Sequence, residues 1–294
     1  MKKGPVTPKG FKDIKPEIAK KRREIINVIA DVLEDFGFVP LETPAVEFAE
    51  TLLGKYGDEE KLIYKFTDKG GRNLALRYDL TVPLARFVAN NLGLLNPTFS
   101  RYQVGQVFRG EKPQKGRSRE FTQFDFDVVG EDSPSEDAKV IAAAIESMRK
   151  TGFDKAQMAI NDRVNFKDIN PGDIREIDKY YKIGKEELIE KVGKDVFEKA
   201  EKSKPTSRLL DVLEILKKEY NLVEGKDFFF DPFLARGLDY YTSTIMEMKL
   251  DGKPESLSIG GGGRYDNLIG MFAGRDIPAV GFSFGLDRLI ELSS

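Results

Sequence analysis

The chain of 294 residues contains no cysteine, no histidine and no tryptophan. Without cysteine there is no thiolate nucleophile and no disulfide. Without histidine there is no imidazole base, no Ser-His-Asp triad and no ordinary zinc site. Catalysis in such a chain would run on positioned charge. Net charge is also scarce: Lys+Arg 47 against Asp+Glu 49 leaves -2, so no global field draws the protein to nucleic acid or an anionic membrane, and any polyanion contact comes from a local patch. No apolar run reaches membrane-spanning length, and the opening MKKGPVTPKGFKDIKPE has lysines without the hydrophobic core of a signal peptide behind them. A soluble cytoplasmic protein with no membrane partner is the expectation. The length allows one large α/β domain with an insertion, or two ordinary domains, and a substantial core.

What is present reads as hairpins and amphipathic helices. From Pro16 the residues Ile18, Ile25, Ile29, Val32, Leu33 and Phe36 recur at helical spacing, and Gly37 stops the run. FVPLETPAVEF is extended, but Pro40 and Pro44 confine it to an edge or interface. LIYKF and NLALRYD flank the Gly-containing turn DKGG, and RYQVGQVFR begins a further pair. SPSE at Ser133 supplies a capping Ser, a Pro at the first helical position and a Glu three residues on, ahead of Ala138, Ile141, Ile145 and Met148. Between 164 and 222 charged helical stretches replace strand signals, as in KEELIEKVGKDVFEKAEK and SRLLDVLEILKKEY. These shifts predict an α+β, two-layer architecture with a catalytic domain in two parts, 1–163 and 223–294, interrupted by a helical insertion at 164–222.

The stretch FRGEKPQKGRSREFTQFDFD crowds cations into its first half and acids into its second. Read as two antiparallel strands and a loop, its period-2 alternation puts Gln123, Asp125 and Asp127 on one face and Phe124, Phe126 and Val128 on the other. Arg109 ends the first strand, and Glu111, Lys115, Arg117 and Arg119 lie in or beside the loop. A polar face is equally what any solvated antiparallel sheet presents. Asp79 and Thr81 follow an apolar strand, Arg236 follows a run of Phe and Leu, and Arg288 sits on the last helix. Taken singly, each suits a structural role. Together, Arg109, Arg117, Arg236 and Arg288 beside a carboxylate cluster suit a triphosphate next to a cationic small molecule, because guanidinium matches phosphate oxygens bidentately and carboxylates capture ammonium. GGGGRY would let a ligand approach the backbone, though a turn or bulge explains it as well. It lacks the Gly-Lys-Ser/Thr ending of a P-loop.

VPLETPAVE, FRGEKPQKGRSREFTQ and GFSFGLDRL resemble, in order, the three signature motifs of class II aminoacyl-tRNA synthetases. LARGLDYYT and GGGRYDNLIG resemble the two motifs peculiar to histidyl-tRNA synthetases, and LRYDLTVP and FDFDVVG look most like the archaeal and eukaryotic branch. The resemblance covers nearly the whole chain. It implies a mixed, mostly antiparallel sheet flanked by helices, a homodimer built partly on the first motif, and activation of histidine by ATP with Mg²⁺, with no protein-bound structural metal. It assigns Arg109 to the α-phosphate, Arg117 to the terminal phosphate, Glu111 to the adenine side and Arg288 to ATP. Arg236 matches the family's catalytic arginine, by the α-phosphate and the substrate carboxylate. Asp79, Thr81 and Gln123 match residues around the α-amino group, and Asp127, Tyr241 and Tyr265 those that read the imidazole, with Tyr240 adjacent. Gly110 and Ser118 stand where the family has larger side chains and Thr122 where it has His or Tyr, which predicts a looser pocket wall. Family members continue into an anticodon-binding domain beyond the third motif. The expectation is therefore a catalytic core with weak hold on the tRNA(His) acceptor end, or the synthetase-like regulatory subunit of ATP phosphoribosyltransferase. The second is disfavoured by the intact histidine motifs.

Overall fold

The structure, a computed structural model, describes residues 5–113, 118–236 and 240–292. Its first long element is the helix Pro16–Asp35, with proline in the first turn. Ile25, Ile29, Val32 and Leu33 are buried as their spacing predicts, while Ile18 is 42% exposed and belongs to a turn that projects past the core. Gly37 ends the run with φ +80, a conformation glycine adopts without steric cost.

The strands are β1 (Val39–Pro40), β2 (Val46–Phe48), β3 (Lys65–Thr67), β4 (Asn73–Leu76), β5 (Phe99–Phe108), β6 (Glu120–Val129), β7 (Gln157–Asp162), β8 (Phe228–Phe230), β9 (Thr244–Lys249), β10 (Ser258–Arg264) and β11 (Ala279–Gly285). Eight of them form one sheet in the order β1-β5-β6-β11-β10-β9-β7-β8, and β2-β4-β3 form a small second sheet. The outer pairs β1–β5 and β7–β8 are parallel and every inner pair is antiparallel. This is the mixed, mostly antiparallel sheet flanked by helices expected from the motifs. Proline-bearing β1 lies at the sheet edge, where a missing N–H costs no ladder bond.

Alternation divides the large sheet into two faces. Phe124, Phe126 and Val128 of β6 join Phe282 and Phe284 of β11 and Met246 and Met248 of β9 in one core. That core is covered by the helices Pro16–Asp35, Pro134–Lys150, Ser207–Lys218 and Leu286–Leu292. Helix Pro134–Lys150 begins as SPSE predicts: Ser133 Oγ accepts from the Ser135 N–H at 3.3 Å. Glu136 Oε2 makes no hydrogen bond among the described residues.

The opposite face is left partly bare. A second core lies on that side, formed by the small sheet, helix Thr81–Asn91 and the short helices Pro171–Ile177, Tyr180–Ile183, Lys185–Val192 and Lys194–Glu201. Between these packed groups the polar alternate residues of β6, β9, β10 and β11 remain open as the floor of a cleft.

Candidate active site

The cleft has a volume of about 530 Å³. Its floor begins with β6, whose side chains Gln123, Asp125 and Asp127 point into it. Opposite Asp127 in register stands Arg101 of β5. Arg101 is wholly buried, and its Nη2 ion-pairs with Asp127 Oδ2 at 2.7 Å, without hydrogen-bond alignment. Tyr265 Oη donates to Asp127 Oδ1 at 2.5 Å. Asp127 therefore has a partner at each oxygen. Burial pushes its carboxyl up, and Arg101 and Tyr265 oppose that shift.

Asp125 lies two residues away and is less well provided for. It is 2% exposed, and its Oδ1 makes no hydrogen bond among the described residues. Burial, reinforced by the neighbouring Asp127 and opposed by Arg101, pushes its carboxyl up to about 7. Beside it Gln123 Nε2 donates to Ser283 Oγ of β11 at 2.8 Å. At one wall Asp79, also buried, accepts from the Tyr56 hydroxyl at 2.9 Å and from the Val82 N–H at 3.0 Å. Its carboxyl is likewise raised by burial. Thr81 opens the helix Thr81–Asn91 at the same wall. Tyr240 closes this end, with ring centroids 4.9 Å from Tyr241 and 6.0 Å from Tyr265.

The cleft is lined by arginines as well. Arg109 follows β5, donates from Nε to the Tyr78 carbonyl at 3.2 Å and lies 4.3 Å over the Tyr78 ring. The stacking holds its planar guanidinium in place without neutralising it. Glu111 lies nearby, and Arg288 enters from the last helix, with Nη1 donating to the Ser258 carbonyl at 2.6 Å. Arg236 has φ +47, a left-handed conformation uncommon outside glycine. Its Nη1 pairs with Glu247 Oε1 of β9 at 3.2 Å.

The fold thus brings Asp79, Thr81, Arg109, Glu111, Gln123, Asp127, Arg236, Tyr240, Tyr241, Tyr265 and Arg288 to one cleft. Arg117 lies outside the described residues. The Thr122 hydroxyl on the wall accepts from Arg22 Nη2, and Arg22 Nη1 pairs with Asp287 at 2.8 Å. Sequence reasoning missed Asp125, Asp178, Glu247 and Arg101 as parts of the site. Only Asp125 carried a local signal, the face it shares with Gln123 and Asp127.

The glycine run lies in a strand, β10, with a bulge between Ser258 and Gly260. A methyl group at Gly261 would collide with the Arg236 guanidinium, and one at Gly281 of β11 with Asp127 Oδ1. Both glycines clear room for charged side chains lying flat on the sheet. The result is a cleft lined by buried acids and by arginines together. It can hold a small cationic molecule against a polyphosphate.

A family model described as histidyl-tRNA synthetase matches residues 10–169 and 174–289. The chain belongs to the histidyl-tRNA synthetase family. A histidine-tRNA ligase of Aeropyrum pernix is 43% identical over 322 residues, covering 98% of this chain and 74% of that protein. The crystal structure of histidyl-tRNA synthetase from Nostoc sp. PCC 7120 matches with a TM-score of 0.80 at 32% identity, over 99% of this chain and 75% of that one. A structure described as an ATP phosphoribosyltransferase regulatory subunit/histidyl-tRNA synthetase, from Bacillus halodurans, matches with a TM-score of 0.77 at 23% identity, over 98% of this chain and 83% of that one. That last likeness concerns the fold alone.

Proposed function

We propose that this chain activates histidine with ATP to histidyl-adenylate and transfers the histidyl group to tRNA(His). The observation that carries the reading is one cleft lined by both Asp79, Asp125 and Asp127 and Arg109, Arg236 and Arg288. Relatives that share 43% and 37% of their residues with the chain are histidine-tRNA ligases. The regulatory-subunit reading draws support only from a fold likeness at 23% identity.

The substrate carboxylate is the nucleophile and arrives ionised. A carboxylate oxygen bonds to the α-phosphorus, the bond from that phosphorus to the bridging oxygen breaks, and pyrophosphate leaves with the electron pair. No general base is required, so a site without histidine or cysteine is no handicap. The chemistry asks for in-line alignment and cancellation of developing negative charge. Arg109 and Arg236 take the α-phosphate, Arg117 the terminal phosphate, Glu111 the adenine side and Arg288 the nucleotide. Mg²⁺ enters with ATP and neutralises its phosphates. Asp79, Thr81 and Gln123 surround the α-ammonium, while Tyr265, oriented by Asp127, reads the imidazole together with Tyr240 and Tyr241. An amino acid without a ring N–H leaves these buried groups unsatisfied, which is the basis of selection.

The protein acts as a homodimer. This is supported by the outer face of the small sheet, where Val46, Phe48 and Phe66 are exposed side by side. A cytoplasmic location follows from the activity, and no helix among the described residues is long and apolar enough to cross a membrane. Residues 164–222 form a helical module between the two parts of the catalytic domain. Histidine-dependent exchange of pyrophosphate into ATP is the direct test, and a purified chain that binds both substrates without exchange would overturn the reading.

A further inference from the structure

Behind the cleft, on the helix-covered face of the sheet, lies a charged network that touches no part of the cleft floor directly. Arg264 ends β10 and is wholly buried. Its Nε donates to the two oxygens of Asp137 in helix Pro134–Lys150 at 3.3 and 3.1 Å, its Nη2 to Asp137 Oδ2 at 2.5 Å, and its Nη1 to Asp266 Oδ1 at 3.0 Å. Asp137 is wholly buried as well, and takes a second arginine, Arg208 of helix Ser207–Lys218, at 3.1 Å. Arg208 in turn pairs with Asp132 at 2.8 Å. Charge buried this deeply is costly, and a well-packed apolar pair would stabilise the contact as well or better. What an apolar pair lacks is direction. A planar guanidinium held along one edge by Asp137 and at its remaining nitrogen by Asp266 allows one placement of the chain that carries it.

The chain so placed carries the tyrosines of the cleft. The Arg264 carbonyl accepts from the Thr242 N–H at 2.8 Å, and Asp266 accepts from the Thr242 hydroxyl at 2.9 Å and from the Ala279 N–H at 3.2 Å. The Ala279 carbonyl takes the Tyr265 N–H at 2.7 Å. Tyr265 therefore stands between two anchored residues, Arg264 and Asp266, and Tyr241 directly precedes a third, Thr242. Both tyrosines line the cleft, and the Tyr265 hydroxyl reaches Asp127 at 2.5 Å. The arginines proposed for ATP are held elsewhere, Arg109 at the Tyr78 carbonyl and Arg288 at the Ser258 carbonyl.

We propose that Arg264, gripped by Asp137 and Asp266, is a positioning residue for Tyr241 and Tyr265: it fixes their backbones from the far face of the sheet and so sets how tightly the cleft holds histidine. Through Arg208 the segment 164–222 joins the same network. This rests on the function proposed above. The test compares Arg264→Lys and Asp266→Ala with the parent chain in pyrophosphate exchange, melting temperature and hydrogen exchange of the Tyr265 amide. Lysine keeps the charge but cannot span Asp137 and Asp266 together. Either variant should raise KM for histidine about tenfold while KM for ATP moves less than about twofold. The Tyr265 amide should exchange about tenfold faster, since opening that strand end no longer breaks the network. A network that only supports the fold would instead lower the melting temperature and the active fraction, and with it the apparent kcat, leaving both KM values as they were. A KM for histidine within about twofold of the parent, an equal rise in KM for ATP, or an unchanged Tyr265 amide overturns the proposal. If Arg264→Lys does not fold, Asp266→Ala carries the comparison, because Asp266 has a side chain 27% exposed and leaves Arg264 paired with Asp137. A parent chain without exchange activity would sink the proposed function instead, and the Tyr265 amide would still decide whether the network holds that tyrosine.

Discussion

At the scale of single residues, Arg236 and Asp125 show two ways in which the cleft keeps charge ready. In the proposed reaction Arg236 meets phosphate charge that grows during the step, which puts its worth in the transition state more than in ground-state binding. Arg236→Ala should lower the exchange rate by about two orders of magnitude, on the order of 3 kcal/mol, with little change in histidine affinity by calorimetry. Arg236→Lys should restore only part of the loss, because an ammonium lacks the planar fork that spans Glu247 and a phosphate oxygen. Near-normal turnover in Arg236→Ala would refute the role. Asp125 is the converse, a group whose charge the empty site disfavours. Its carboxyl is raised from an ordinary 3.8 to about 7, so between those values the folded chain holds a proton that the unfolded chain has released. A raised group gives its full stability below the unfolded value and loses it as pH climbs through the folded one. The ligand-free protein should therefore weaken by on the order of 2 kcal/mol between about pH 5 and pH 8. Asp125→Asn, which has no proton to lose, should flatten that dependence in thermal melts. A dependence as steep in the variant would assign it to Asp79 or Asp127, whose carboxyls are raised in the same direction.

At the scale of elements, β10 and β11 act as a bed on which charged side chains from other parts of the chain lie. Gly261 leaves space for Arg236 and Gly281 for Asp127, so two equivalent alanine substitutions should have separable effects. Gly261→Ala should act as an Arg236 lesion, lowering kcat tenfold or more with a small effect on KM for histidine; Gly281→Ala should raise that KM about tenfold by pushing Asp127 off its partners Arg101 and Tyr265. Steady-state exchange kinetics on both variants distinguish the two, and identical profiles would mean that each merely disturbs the sheet. These elements also mark how far the sequence could be read. The helix from Pro16, the capped helix after Ser133 and the division of β6 into Phe124-Phe126-Val128 and Gln123-Asp125-Asp127 were legible because each follows from spacing within one element. The glycines were legible only as alternatives, since what they make room for arrives from elsewhere. Arg101 was not legible at all: one buried arginine in a run of strand residues looks like any edge charge until antiparallel register sets it opposite Asp127. Asp178 was hidden for the same reason, since only tertiary packing turns the end of helix Pro171–Ile177 towards the cleft.

At the scale of the whole molecule, the small sheet connects the proposed subunit contact to the amino-acid end of the cleft. Phe48 and Phe66 stand in register on either side of Leu74, so the three make an apolar row across β2, β4 and β3. Phe48 is 51% exposed and Phe66 43%, a face that a second copy would cover. β4 ends at Leu76, and the chain then delivers Tyr78, Asp79 and Thr81 to the cleft wall. Asp79 is held there by Tyr56, which precedes the turn of helix leading into β3. The wall and the apolar row are thus parts of one three-stranded unit, and a sheet that small depends for its stability on what covers its faces. Covering its outer face should brace the wall, and exposing that face should loosen it. Phe48→Glu combined with Phe66→Glu should therefore shift the protein from dimer to monomer in sedimentation, since burying two carboxylates across an interface costs several kcal/mol. In the monomer, KM for histidine should rise about tenfold and KM for ATP less, because Asp79 and Thr81 stand on the loosened wall, whereas of the two arginines proposed for ATP only Arg109 leans on it, through Tyr78, and Arg288 is held at Ser258. A monomeric variant that binds histidine like the parent would show the small sheet to be rigid by itself. A variant that remains dimeric would move the subunit contact to another face.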